Sequence, residues 1–321
     1  MYRLRTPEED VMKVVTLLAH GCPPQAIVHA FGVHEETVAN WWERAGEQCK
    51  AVHEHVVESQ QMDLEHVQAD EIRVKQVGQV TWMAMAIMVS TRLWLSGVIS
   101  PKRDKHLIRQ LADKIRLMAL KRPLLLAVDG LASYVGAFRR AFRSPELPTG
   151  KLRRPRLIAW KDVAIVQVIK RKTPTFYIER RIVQGSQQLI DCLRERTQGF
   201  LGVTNTAYIE RINATFRQRL ACLTRRSRCA AHHISTVTHG MFVVGCFYNF
   251  CLPHTSLQQQ VDSQRIPRTP AMAAGLSDSV WTARELLLYK VPPKHWIPKR
   301  PRGRPSRAFN DLIRRWAPDH L

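Results

Sequence analysis

The amino-acid sequence predicts an α/β protein built of about two domains, on three observations. Between residues 67 and 142, three short β-type runs are followed by a helix, a wholly apolar run and a second helix. That order belongs to helices packed on a sheet, not to separate all-α and all-β layers. The residues ahead of it read instead as consecutive helices with no strand pattern. Finally, 321 residues with 45% hydrophobic content can bury a sizeable core, at roughly 150 residues per domain.

The first helix is predicted from Thr6-Pro7-Glu8-Glu9, which offers a cap, a proline at the first helical position and early acids, followed by Val11, Val14, Val15 and Leu18 at helical spacing up to Gly21. Pro23-Pro24 opens a second helix, and Phe31-Gly32-Val33 turns into a third that carries Val38, Trp41 and Trp42. This is a helix-turn-helix order over residues 1–50, with a linker helix expected over 51–66. The third helix would be the DNA reader. It carries Glu35, Glu36, Glu43 and Glu47, however, and carboxylates repel phosphates, so a packing or dimerisation module stands beside direct base readout. Six of the 13 histidines fall in the first 69 residues without the spacing of a known metal site, and they read as helix-face residues. The seven cysteines contain no CxxC pair and read as reduced thiols, which makes a cysteine zinc site unlikely.

From residue 67 the period changes. VQADEIRVK (67–75), TWMAMAIMVST (81–91) and LWLSGVIS (93–100) predict three strands in a meander. A helix at 104–120 follows, then LLLAV (124–128), a run fit for a strand buried on both faces, and a helix near 133–142. Residues 145–183 read as a basic β insertion, a hairpin turning at Lys170-Arg171-Lys172-Thr173-Pro174. Helices are expected from 186, over 208–226 and over 236–252. The tail, 258–321, holds eight of the 18 prolines and is expected to be extended.

Charge points to the partner. The formal net charge is +22, yet residues 1–69 hold five basic against eleven acidic residues, so the whole surplus sits in the later part. It concentrates at 151–181 (ten Lys+Arg, two acids), 211–228 (six arginines, no acid) and 291–321 (eight and two). Six arginines without a partner acid repel one another unless an anion is present, and nucleic acid is the fitting polyanion. No amphipathic basic helix stands out, and no apolar run approaches the ~20 residues of a bilayer span. No apolar stretch follows the opening MYRLRTPEED, so neither secretion nor a membrane is expected.

Three acids carry the candidate chemistry: Asp70 in the first strand, Asp129 directly after LLLAV, and Glu210 on the helix at 208–226. On that helix Ile209, Ile212, Phe216, Leu220 and Leu223 form one apolar stripe, and Glu210 lies ~120° from it, at the margin of the core. Each acid alone has an ordinary reading as a turn, a cap or a surface ion pair. Together, a strand acid, a central-strand acid and a helix acid in this order match the ribonuclease-H-like arrangement. Its carboxylates hold two hard cations for phosphoryl transfer.

QADEIRVK, AVDGLASYVGAF, NTAYIERINATFRQRLACLTRR and FYNFCLPHTSL resemble successive blocks of the DDE transposases of insertion-sequence-one type. The resemblance covers about residues 67–257. It implies a ribonuclease-H-like mixed sheet with flanking helices as the catalytic domain, and Asp70, Asp129 and Glu210 as catalytic and metal-binding residues. It also implies two Mg²⁺ or Mn²⁺ ions and double-stranded DNA as partner, namely transposon ends and target, handled by a homo-oligomer at the nucleoid in the cytoplasm. Arg211, Asn213, Arg217 and Arg219 would position phosphates, and Lys170, Arg171 and Lys172 would clamp transposon ends. Pro301-Arg302-Gly303-Arg304-Pro305 resembles an AT-hook core, with Arg302 and Arg304 along a narrow minor groove. Many relatives carry an N-terminal zinc ribbon, and this chain opens directly at YRLRTPEED. The alternatives are therefore a non-catalytic DNA-binding remnant or regulator, and another ribonuclease-H-like nuclease.

Overall fold

The computed structural model describes residues 6–146, 155–171, 175–198, 202–225, 228–261, 264–293, 303 and 306–316. The chain divides into two compact units, Met1–Tyr289 and Lys290–Leu321.

The first unit opens with α1 (Glu8–Ala19), α2 (Pro24–Phe31) and α3 (Glu35–His53), and α3 runs on into a π-turn at Glu54–Glu58. Gly32 takes the left-handed backbone, φ 61°, that lets α2 turn sharply into α3. The linker helix expected over 51–66 is thus the end of α3 and stops at Glu58, because the chain must straighten before β1 (His66–Gln76) enters the sheet.

β1, β2 (Gln79–Met88) and β3 (Trp94–Ser100) form the expected antiparallel meander. A two-residue turn joins β1 to β2, with Gly78 at φ 75°. α4 (Lys105–Met118) is capped by Asp104, whose carboxylate accepts from the His106 and Leu107 N–H groups at 3.0 and 3.1 Å. Its face Leu107, Ile108, Leu111, Ala112, Ile115 and Met118 is wholly buried. β4 (Leu124–Val128) is buried throughout and pairs parallel with β1, after which comes α5 (Ala132–Ala141).

The expected 145–183 insertion is where the structure departs most from the sequence reading. A short ribbon, β5 (Arg143–Pro145) with β6 (Leu157–Ala159), does project there. β7 (Val163–Arg171), by contrast, lies parallel to β4 within the main sheet, and β8 (Tyr177–Gln184) pairs antiparallel on its outer side. VAIVQV is buried on both faces, the signature of a parallel central strand, and its basic end masks that signature. The result is one six-stranded mixed sheet in the order β3-β2-β1-β4-β7-β8.

Helices cover both faces. α4 and α5 lie on one. α6 (Gln187–Gln198), α7 (Ala207–Arg219) and α8 (Ile234–Cys246) lie on the other, where Ile190 and Leu193 pack on Leu125, Ala164 and Val166. α7 ends at Arg219, short of the expected 226. The backbone extends at Leu220, and a 3₁₀ turn at Ala221–Leu223 keeps Leu220 and Leu223 buried. The helix-turn-helix is docked onto α8 through α3, and Trp94 marks the seam. It packs on His53, Phe216 and Phe242, and its backbone N–H and C=O both bond to the Asn249 amide at 2.9 Å.

Where an extended tail is expected from 258, the described residues are folded. β9 (Gln259–Val261) and β10 (Gln264–Ile266) form a hairpin, followed by α9 (Pro270–Ala273) and α10 (Ala283–Leu288), and Trp281 stacks between Phe250 and Tyr289. In the second unit, Arg307–Trp316 forms a helix, α11. Among the described residues no helix is long and apolar enough to cross a membrane, and all seven cysteines are free.

Candidate active site

β1 and β4 set the first two acids side by side. Their parallel register ends at Ala69 opposite Val128, so the next residues, Asp70 and Asp129, fall together where β4 leaves the sheet. The Asp129 carboxylate folds its own turn by accepting the Leu131 N–H at 2.9 Å. Asp70 Oδ1 accepts the Glu71 N–H at 2.9 Å, and its Oδ2 accepts from the Asn213 side-chain amide at 2.8 Å.

α7 brings the third acid. Its first turn is held by Gln68, buried on β1 two residues before Asp70, whose Oε1 accepts from the Tyr208 and Ile209 N–H groups at 3.0 and 3.1 Å. These are orphan donors at a helix start, so one glutamine both caps α7 and ties it to the strand bearing Asp70. Glu210 then lines the same cleft as Asp70 and Asp129, a space of about 780 Å³. Its carboxylate is held by Thr206 Oγ1 at 2.5 Å and by the Lys170 ammonium.

A fourth acid, Glu71, reads from the sequence only as a strand-edge residue. Successive strand residues face opposite ways, and Glu71 lies on the α4–α5 face, where its buried carboxylate accepts from Tyr134 Oη at 2.9 Å and Arg103 Nε at 2.6 Å. Its oxygens nevertheless come within 4.8 Å of those of Asp70 and Asp129. Arg103 Nη2 reaches on to Asp129 at 3.7 Å. The one signal in the sequence is a second acid adjoining Asp70 in the same strand.

Burial and mutual repulsion dominate the electrostatics. Burial first, then Glu71, Asp129 and Glu210, push Asp70 up to about 7. Burial and Asp129 raise Glu71, against the donors Arg103 and Tyr134, and burial raises Asp129 against the Leu131 N–H and Arg103. Such a set of crowded hard oxygen donors could hold a divalent cation, which would relieve that repulsion.

The predicted phosphate-binding residues divide. Lys170, Asn213 and Arg217 line the cleft, together with Arg103 and Arg225. Arg171 pairs with Glu179 at 3.1 Å, away from it. Arg211 and Arg219 are not among the lining residues. Lys172, Arg302 and Arg304 lie outside the described residues. Of the N-terminal histidines, His53 and His66 are fully buried, and burial lowers them to about 4 and about 3. On α3, Glu35, Glu36, Glu43 and Glu47 all face solvent, and the Glu43 and Glu47 carboxylates come within 4.8 Å of a ring nitrogen of His239 on α8.

No protein-family model matches this chain, and no curated protein shows significant similarity to it. What the fold defines is a mixed α/β protein with a six-stranded sheet flanked by helices.

Proposed function

We propose that the chain is a DDE-type DNA transposase with a ribonuclease-H-like catalytic domain. It would cleave DNA at transposon ends and join the freed 3′-OH to target DNA as a homo-oligomer. The observation that carries this reading is the pairing of Asp70 with Asp129 at the end of the parallel β1–β4 ladder, with Glu210 of α7 lining the same cleft. The strand order β3-β2-β1-β4-β7, with β2 antiparallel to its neighbours, supports it. So does the net charge of +22.

Asp70, Asp129 and Glu210 would hold two Mg²⁺ or Mn²⁺ ions. The donors are hard oxygens: those of Asp70 and Asp129, with one from Glu71, lie within 4.8 Å of one another, and Glu210 adds to the repulsion at Asp70, which a cation would relieve. Bound there, the ions would supply an activated water and charge stabilisation at the leaving 3′ oxygen. The protein's own part is placement. Asn213 holds the Asp70 carboxylate by one oxygen. Arg103 fixes Glu71, which makes Glu71 a positioning residue at the rear of the site. Lys170, Arg217 and Arg225 offer cations to phosphate oxygens entering the cleft. A phosphate that engaged Lys170 would release Glu210 from its ion pair.

The test is strand cleavage and joining on linear DNA carrying the sequences that flank the gene, with Mg²⁺ or Mn²⁺, comparing the native chain with Glu210→Gln. Joined products that disappear in the variant establish the triad and the reaction class together. Nicking without joining indicates another ribonuclease-H-like nuclease. Binding with neither reaction leaves a DNA-binding remnant.

A further inference from the structure

A second polar cluster lies away from the acidic cleft. Arg92, in the turn between β2 and β3, stacks its guanidinium 3.9 Å from the centre of the Tyr208 ring at the start of α7 and donates to the Val89 carbonyl. Arg211, one turn along from Tyr208, is close enough to Arg92 for the two charges to oppose each other. Tyr248, in the π-turn after α8, lies within electrostatic reach of Arg92, Arg211 and Arg219, and His254 within reach of the first two. None of these three arginines lines the acidic cleft.

Two features mark the cluster as unfinished. Among the described residues no carboxylate pairs with Arg92, Arg211 or Arg219, and Arg219 Nη1 is buried without a hydrogen-bond partner. Burial lowers the pKa of both Arg92 and Arg219, so positive groups are gathered partly out of water with no carboxylate among the described residues to meet them. The second feature is the backbone of Arg92, at φ 61°. Glycine or asparagine adopts that conformation at less cost, and a side chain kept there against the steric preference points to a use for it.

We propose that Arg92, Arg211 and Arg219, with Tyr248 and His254 beside them, form a subsite for the backbone phosphates of a DNA strand, separate from the acidic cleft. Guanidinium groups pair with phosphate oxygens through two parallel hydrogen bonds, and the phenol and imidazole add donors. α7 joins the two places. Glu210, Asn213 and Arg217 serve the cleft, and Tyr208, Arg211 and Arg219 serve the arginine cluster. A DNA segment lying along α7 would therefore be held at one place while its phosphodiester is presented at the other. The inference rests on the proposed function for the identity of its ligand, not for the existence of the anion site.

The experiment follows a short fluorescein-labelled DNA duplex by anisotropy in EDTA, with the full chain, over a range of salt. Native protein is compared with Arg92→Gln, with Arg211→Gln and with Arg122→Gln, a reference arginine that pairs with Asp63 elsewhere on the surface. Arg211 is exposed, so its variant folds even if loss of Arg92 disturbs the turn. In each cluster variant the slope of log K against log salt should become shallower by about 0.9, with the reference unchanged. Native slopes in both cluster variants overturn the subsite, as does equal flattening in Arg122→Gln. The cleavage assay, run in parallel with Mg²⁺, separates the two ideas. Cluster-dependent binding without nicking keeps the subsite and removes the transposase, whereas nicking with unaltered slopes does the reverse. Failure of the native chain to bind the duplex overturns both.

Discussion

At Asp70, burial and the carboxylates Glu71, Asp129 and Glu210 move the pKa from 3.8 to about 7. The folded state therefore binds a proton more tightly than the unfolded chain. Stability from this group is fully present below about pH 4 and is lost as pH rises through about 7. The penalty above that point is of order 4 kcal/mol, at about 1.4 kcal/mol per pH unit of separation. Asp70→Asn, which keeps the shape without the charge, should make the metal-free protein more stable than the native chain at pH 8 and leave it nearly equal at pH 4. Urea melts at the two pH values measure this, and an equal native–variant gap at both would refute it. Asp70, Asp129 and Glu210 are legible as residues because an acid at a strand, an acid after an apolar run and an acid off a helical stripe are local patterns. Glu71 is not, since its approach to Asp129 depends on a strand pairing across more than fifty residues and on Arg103 and Tyr134 holding its carboxylate in place.

Among the elements, α3 and α8 make a seam that a single atom can open. Gly46 of α3 faces His239 of α8, and a Cβ there would meet the His239 backbone Cα at 2.7 Å. Alanine is the better helix former by about 1 kcal/mol, so propensity alone predicts that Gly46→Ala stabilises. Overpacking against the backbone outweighs this, and the net loss should be about 1–3 kcal/mol. A thermal melt decides the sign. The helices α1, α2, α3 and α4 are readable from apolar period, with α4 expected within two residues of its true ends, but the cap expected at Thr6 is absent, because α1 starts at Glu8 with Pro7 at its N-cap and no side-chain cap. The expected basic hairpin is present as β7 with β8, but it is misplaced in the sequence reading as an insertion, because Lys170 and Arg171 obscure the apolar stretch that buries β7 in the sheet. Nothing within that stretch says that its partner is β4, 35 to 40 residues earlier.

For the molecule as a whole, the field of a +22 chain is the term that acts at long range. Residues 290–321 form a unit of their own and hold nine of the 49 basic residues with two acids. Ending the chain after Tyr289 should flatten the salt dependence of DNA binding by about 0.9 for each phosphate that this segment neutralises, with the melting temperature of the main unit unchanged. Anisotropy titrations and calorimetry on the two lengths of chain check both halves. An unchanged slope would mean that this basic segment does not touch phosphate. Composition leads one to expect separate domains with a long extended tail, but the structure joins the helix-turn-helix, the sheet and residues 258–289 in one unit. Trp94, Asn249 and Trp281 bind those parts across large separations in the chain.

By itself the sequence determined the charge, the α/β class, most of the helices, the strands β1 to β4 and three of the acids that line the cleft. All of these follow from composition or from periods of two and 3.6 residues, which need only neighbours along the chain. Only the tertiary structure decided that β7 completes the parallel core, that Glu71 joins Asp70 and Asp129, that Lys170 holds Glu210, and that Arg92 stacks on Tyr208. Each of these is a meeting of residues distant in sequence. Strand register, helix docking and the burial of charge set such meetings, and those forces exist only once the chain has closed on itself.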